Sequence, residues 1–454
     1  MRGMQSAVIP PAAARRGLLV IALGSLGVPL DSTVNAAFPA ITAAFGLAVA
    51  DIQWVVIAYV LTYASLLLAC GRLSDLFGHR RVFLIGAAWS ATAFTICAAA
   101  PSFPLLLAAR IMQGIGAALV ASCGPALATS LYPEQQRPRI LAWYTLMFAI
   151  GATLGTPLAG ALLGPFGWRA VFALRVPIAV AALLLAPLLP AGTSSSGAGR
   201  FDIRGALLLA ASLACGLGAL NRVQAIGASP LPCLLLAVLA IAAAFAFAGQ
   251  QNRARHPIID MRLFRLPGFT AVNAASALAT LAGFAVLLLV PFLLRETTDL
   301  PPFAAGCLLA ASPLGTTLGS PLAGRLAARI APRRLALAGA IANTLGLGGL
   351  AFTQAVPSLP FLALAMLIQG IGMGMFQVGY LDIVTATVPR TDRGVAGSLA
   401  MLTRMTGTLA GATLLMLVFQ LASASFHAGF QAALTVAALL AAAAALLLLQ
   451  RRIR

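Results

Sequence analysis

Lysine is absent from this 454-residue chain, in which all 29 basic residues are arginine. Without lysine there is no P-loop, which sets an ammonium group on its nucleotide's phosphates. Schiff-base and pyridoxal chemistry, which need a lysine amine, are excluded as well. Acidic residues are scarce, ten in all. Charged residues make up 9% of the chain, against about 25% in soluble domains. The three histidines, His79, His256 and His427, stand far apart, at or near the ends of apolar runs. No metal site and no cofactor is expected from them. The six cysteines (Cys70, Cys97, Cys123, Cys215, Cys233 and Cys307) form no CxxC pair and read as small packing residues. No Ser/His/Asp cluster is visible, so the chain is not read as an enzyme.

What the chain has in excess is apolar sequence, 61% of all residues. No soluble fold of this length could hide so much apolar surface. Runs long enough to cross a bilayer recur from end to end, which makes this a polytopic, all-α integral membrane protein. The expected spans are 17–42, 52–72, 82–100, 104–130, 139–165, 169–189, 205–226, 230–249, 268–294, 303–325, 333–353, 358–386, 394–420 and 427–450. The first reads as an uncleaved helix because its apolar run outlasts a signal-peptide core. The seventh is the weakest, with Asn221 and Arg222 near one end. With the N-terminus inside, 23 of the 29 arginines fall in inside segments, and only Arg169, Arg222 and Arg295 fall outside. That alternation predicts both termini in the cytoplasm. It also accounts for the formal charge of +19 without a nucleic-acid partner.

The chain repeats itself. GRLSDLFGHRR (71–81) returns as GRLAARIAPRR (324–334), and IMQGIG (111–116) returns as LIQGIG (367–372). Gly151 and Gly155 return as Gly407 and Gly411. The offsets, 253 and then 256, are nearly constant. Repeated halves with a substrate site at their interface are a transporter architecture. The expected organisation is an N-terminal six-helix bundle over 1–190 and a C-terminal six-helix bundle over 268–454. Between them, 191–267 would hold a polar linker and two extra transmembrane helices, for fourteen in all.

With LDSTVNAAFPAI at 30–41, the GRLSDLFGHRR loop, RIMQGIGAA at 110–118, GATLGTPLAGALL at 151–163 and WRAVFALRVP at 168–177, the chain resembles the major facilitator superfamily. The resemblance is to its fourteen-helix drug:proton antiporter branch and covers nearly the whole chain. It departs at Arg175, where the branch has asparagine, and at Thr156, where it has glycine before Pro157. It departs again at Ala328, which stands where the first half has Asp75, and at Asp382, where a neutral residue is expected. The resemblance implies a proton-coupled secondary transporter that exports lipophilic or cationic small molecules by alternating access. It implies a monomer in the bacterial cytoplasmic (inner) membrane, with small-molecule substrate, protons and lipid as its partners.

A carboxylate inside a membrane is costly, and an intramembrane ionisable group is a functional hypothesis by default. Asp31 and Asp382 are the two acids well inside spans. Asp31 reads as a proton carrier, or else as the fixed partner of an arginine. Asp382 reads as a second coupling group, or else as the partner of Arg404. Arg110 is placed beside the proton site by the family motif. Gly71, Asp75, Gly78, Arg80 and Arg81 read as a cytoplasmic latch on conformational exchange, or as a plain basic turn. Asn35, Tyr59, Gln113, Tyr380 and Arg404 are candidates for the substrate pocket. The two tyrosines are singled out because aromatic faces can hold a lipophilic cation. Gly151, Gly155, Pro157 and Gly160 keep one face of the fifth helix small for close packing. Two other functions remain open: a facilitator-fold carrier for a metabolite, siderophore or other non-drug solute, and a non-transporting membrane sensor or scaffold. The sensor would need a soluble output domain, and every extramembrane segment is too short for one.

Overall fold

The computed structural model describes residues 11–133, 136–189, 202–222, 230–254, 266, 268–327, 329–353, 358–387, 393–422 and 425–450. In lipid every backbone polar group must find its partner within the protein. The described residues accordingly form helices throughout. The first half contains α1 (Pro11–Ser25), α2 (Ser32–Ala36), α3 (Phe38–Phe45), α4 (Gln53–Phe77), α5 (His79–Ala99) and α6 (Phe103–Ser130). It continues with α7 (Arg137–Phe166), α8 (Ala170–Ala173) and α9 (Arg175–Leu184). Next come α10 (Ile203–Asn221) and α11 (Pro230–Arg253). The second half contains α12 (Phe269–Thr297), α13 (Pro302–Leu309), α14 (Ala311–Leu326), α15 (Pro332–Ala351), α16 (Leu359–Thr387), α17 (Arg393–Leu421) and α18 (Phe426–Leu448).

Among the described residues, twelve segments are long and apolar enough to cross a membrane. The fourteen expected spans are therefore not all found at crossing length. The sixth and seventh coincide with shorter apolar helices, Ala170–Leu184 and Ile203–Gly216. Pro177 follows the break between α8 and α9 in the sixth, whereas α10 in the seventh runs 19 residues, Ile203–Asn221. A proline in a helix lacks the N–H and crowds the carbonyl four residues back.

The first expected span is also not one helix. After α1 the chain passes through a 3-10 turn at Pro29–Asp31 and then two short helices, α2 and α3. Pro29 interrupts the α-helical ladder, and Leu30 N–H reaches Leu26 O at 3.1 Å across the break. The latch segment departs from its reading as a loop. Residues Gly71–Phe77 complete α4, and Gly78 alone turns the chain into α5. Its φ of +90° is a conformation open to glycine and strained for other residues.

Helices α4, α5 and α6 pack together, with α9 closing on α1 and α5. In the second half α14, α15 and α16 pack together, and α12 lies against α17 and α18. The halves meet where α13 packs on α7 and where α17 packs on α4. The α10–α11 pair sits beside the second seam, with α10 touching both α4 and α17. Reporter fusions at Ser195 and Gly227, both outside the described residues, should report opposite sides of the membrane if α10 crosses it. Two cytoplasmic reports would reduce the chain to twelve crossings.

Candidate functional site

The two broken helices of the first half deliver its charged centre. Asp31 ends the 3-10 turn after Pro29, and Arg175 opens α9 just after the break at Leu174. Arg110 and Gln113, one turn apart on α6, face the same point. Arg110 grips Asp31 with both terminal nitrogens, Nη1 to Oδ1 at 2.6 Å and Nη2 to Oδ2 at 2.9 Å. Such bidentate pairs are the strong, geometrically specific form of the ion pair. Gln113 Nε2 also donates to Asp31 Oδ1 at 2.9 Å, and Gln113 Oε1 accepts from Arg110 Nη1 at 2.7 Å. Arg110 Nε is anchored on Val55 O at 2.9 Å.

Arg175 adds a second guanidinium. Its Nη1 donates to Asp31 Oδ1 at 2.9 Å and its Nη2 to Thr33 Oγ1 at 2.8 Å. The Phe94 and Phe172 rings flank it at 5.3 and 5.5 Å. Arg110 and Arg175 are 1% and 0% exposed, whereas the Asp31 side chain is 17% exposed, so the cluster opens through its carboxylate. A buried charge without a partner is expensive, which explains the density of donors around Asp31.

Of the pocket candidates, Tyr59 lies in the cluster with its ring face already covered by the Arg110 guanidinium, 4.4 Å from the ring centroid. Asn35 is half-buried on α2. Tyr380 belongs to the second half, where its hydroxyl donates to Asn273 Oδ1 at 2.9 Å and its ring stacks on Phe376. Asp382 is exposed near the end of α16, and Arg404 is exposed on α17 with Nη2 3.0 Å from Met401 Sδ. Neither joins the Asp31 cluster. The repeat places Met366 and Gln369 where the first half has Arg110 and Gln113. Gln369 there accepts from Ser312 Oγ at 2.6 Å and donates to Asn343 Oδ1 at 3.1 Å. The second half thus holds a neutral counterpart of the charged site.

In the latch, Arg80 Nη2 donates to Ala186 O at 3.2 Å, and Arg81 is exposed. Ser74 Oγ and His79 Nδ1 lie 3.0 Å apart. The backbone of Asp75 is helical, and its side chain lies outside the described residues. Helix α7, which also carries Pro157, presents its glycines on two sides rather than on the one face expected. Gly151 and Gly155 admit Pro29 and Ser32 of the first broken span, and Ser32 Oγ donates to Ala152 O at 3.1 Å. Gly160 lies against the backbone of Pro302 and Phe303.

Arg175 was absent from the site expected from sequence. The signal for it was available: an arginine inside a span, at a position where the resembling branch carries a neutral amide.

A bundle of apolar helices with a charged centre on broken segments is the build of a multi-pass membrane transporter. The profile of the Major Facilitator Superfamily matches residues 21–295 and 272–454. The chain belongs to that superfamily, and is a transporter rather than an enzyme. It is 30% identical over 418 residues to the methylenomycin A resistance protein of Streptomyces coelicolor, covering 90% of this chain and 87% of that one. It is 28% identical over 420 residues to the riboflavin transporter RibZ of Clostridioides difficile, covering 92% and 88%. Among solved structures, a D-xylose-proton symporter superposes with a TM-score of 0.67 at 17% identity, covering 97% of this chain and 98% of that one. The shared feature at that distance is the fold.

Proposed function

We propose that this chain exports lipophilic small molecules in exchange for protons, by alternating access across a bacterial cytoplasmic membrane. It works as a monomer with fourteen crossings, two six-helix bundles flanking the α10–α11 pair, and both termini in the cytoplasm. The observation that carries the reading is Asp31. It is an intramembrane carboxylate, partly open, and held by Arg110 at the break of a discontinuous helix. A proton on Asp31 removes the charge that both guanidiniums share, so proton arrival and rearrangement of the cluster are one event. Exchange then requires that proton and substrate favour different conformations. Latch residues Gly71–Arg81 and the α7 glycines would govern the interconversion. The resistance protein among the relatives favours export. The riboflavin transporter among them supports a second reading, a carrier for a non-drug solute.

The test is transport in proteoliposomes under an imposed pH gradient, with the compound chosen from a susceptibility panel in a pump-deficient host. Substrate movement against its gradient should follow the pH gradient and stop when an ionophore dissipates it. Movement that persists unchanged after dissipation overturns proton coupling.

A further inference from the structure

Asp31 already accepts from several internal donors. Its oxygens receive four N–H donors: Arg110 Nη1, Gln113 Nε2 and Arg175 Nη1 on Oδ1, and Arg110 Nη2 on Oδ2. A carboxylate offers roughly four lone-pair sites, so a substrate ammonium competes with these donors for Asp31. The charges do not cancel. Two buried guanidiniums face one carboxylate, which leaves the cluster with a surplus positive charge. The other acid described nearby in the first half, Asp51, is engaged in accepting from Ala48 N–H at 3.2 Å near the start of α4. The aromatic face that could hold a cation, Tyr59, already holds Arg110. Among the described residues of the Asp31 cluster, the carboxylate and the aromatic face that could recognise a lipophilic cation are thus already engaged from within.

Donors, by contrast, are in surplus. Arg175 carries five N–H groups and its described bonds use two, through Nη1 and Nη2. Its Nε is buried without a partner. A buried donor left unpaired is costly and is satisfied by any acceptor brought to it.

We propose that Arg175 sets specificity by charge, so that this site rejects lipophilic cations and takes neutral or acidic lipophiles bearing a hydrogen-bond acceptor. The proposal rests on the reading of the chain as an exporter of lipophilic compounds with its site at Asp31. Arg175 is the discriminating element because Arg110 is balanced by its bidentate bond to Asp31. Replacing Arg175 by asparagine removes the surplus charge.

The test uses the full chain in nanodiscs and three matched naphthalene probes, carrying a trimethylammonium, a methyl sulfone or a sulfonate group. Binding is read by calorimetry, with empty nanodiscs subtracted. In the wild type the sulfone and the sulfonate should each bind at least about tenfold more tightly than the ammonium, since like charges in one site oppose binding. Arg175→Asn should improve ammonium binding by about tenfold or more and weaken the sulfone and the sulfonate, whose acceptors lose the Arg175 N–H groups. A gain for one charge class is not produced by a variant that merely folds badly. Arg175→Gln, with a longer amide, should shift the preference in the same direction. Ammonium binding as tight as the sulfone in the wild type overturns the proposal, and so does an unchanged order of preference in a folded Arg175→Asn protein. The export reading fails separately, if the sulfone binds but no pH gradient moves it in proteoliposomes.

Discussion

Asp31→Asn should abolish the proposed proton-coupled export and cost stability, and the two losses should separate in a double variant. The coupling loss follows from chemistry: asparagine mimics the neutral acid in both conformations and has no proton to give or take. No lysine exists to replace it. The stability loss follows from charge. Asp31 is the one acceptor shared by Arg110 and Arg175, both fully buried. Removing one partner of a buried pair costs about 3–5 kcal/mol, because the charge left behind stays unpaired. Here two guanidiniums are left. Adding Arg175→Asn to Asp31→Asn returns the cluster to a single surplus positive charge, the wild-type balance. The double variant should therefore recover most of the lost melting temperature while coupled flux stays at background. The measurements are thermal unfolding in detergent and substrate-induced proton release in proteoliposomes. Full proton release from a folded Asp31→Asn protein would move the coupling group elsewhere, with Asp382 the next intramembrane acid to test. Asp382→Asn, exposed and outside the cluster, should have a partial effect.

The sequence reading reached the pair Asp31–Arg110 because both residues sit in motifs whose order along the chain is unmistakable. Gln113, expected as a candidate for the substrate pocket, instead bonds both members of that pair. The sequence reading did not reach Arg175 as a site residue, since a single departure from a motif says nothing about which way a side chain turns. That direction is fixed by the break between α8 and α9, a tertiary consequence of Pro177 and of packing against α5. The first span illustrates the same gap. Hydropathy sees one continuous apolar run over 17–42, whereas Pro29 splits it and turns Asp31 inward. The latch shows the opposite error. Its basic, glycine-punctuated composition suggests a loop, yet six of its first seven residues continue α4 beyond the glycine at 71. The internal repeat carried furthest. It matched Gln113 to Gln369, and both are buried in polar networks at equivalent places in the two halves.

Gly160→Val should arrest transport by holding open the end of the bundle where α7 meets α13. The backbones touch there. A Cβ on Gly160 would stand 2.9 Å from Phe303 Cα and closer still to Pro302 O. The contact is reciprocal, because a Cβ on Gly306 would meet Thr156 O and stand 3.1 Å from Gly160 Cα. Neither neighbour is a flexible side-chain tip that could swing away. Both helices would have to separate. Overpacking of this kind costs about 1–3 kcal/mol. About 1.4 kcal/mol is tenfold in an equilibrium. The penalty falls only on the conformation in which α7 and α13 are in contact, so folding survives while the balance of states shifts away from the one described. A carrier that cannot close one end cannot complete its cycle. Hydrogen exchange of the Phe303–Leu309 amides should quicken in Gly160→Val, and the export rate should fall by about tenfold or more. Gly164 is the internal control: it lies one turn further on the same helix, and its Cβ would meet Pro302 Cγ at an ordinary 3.9 Å. Gly164→Ala should therefore transport normally. Equal losses in the two variants would mean that helix α7 tolerates no substitution anywhere along this face, and the contact with α13 would not be the cause.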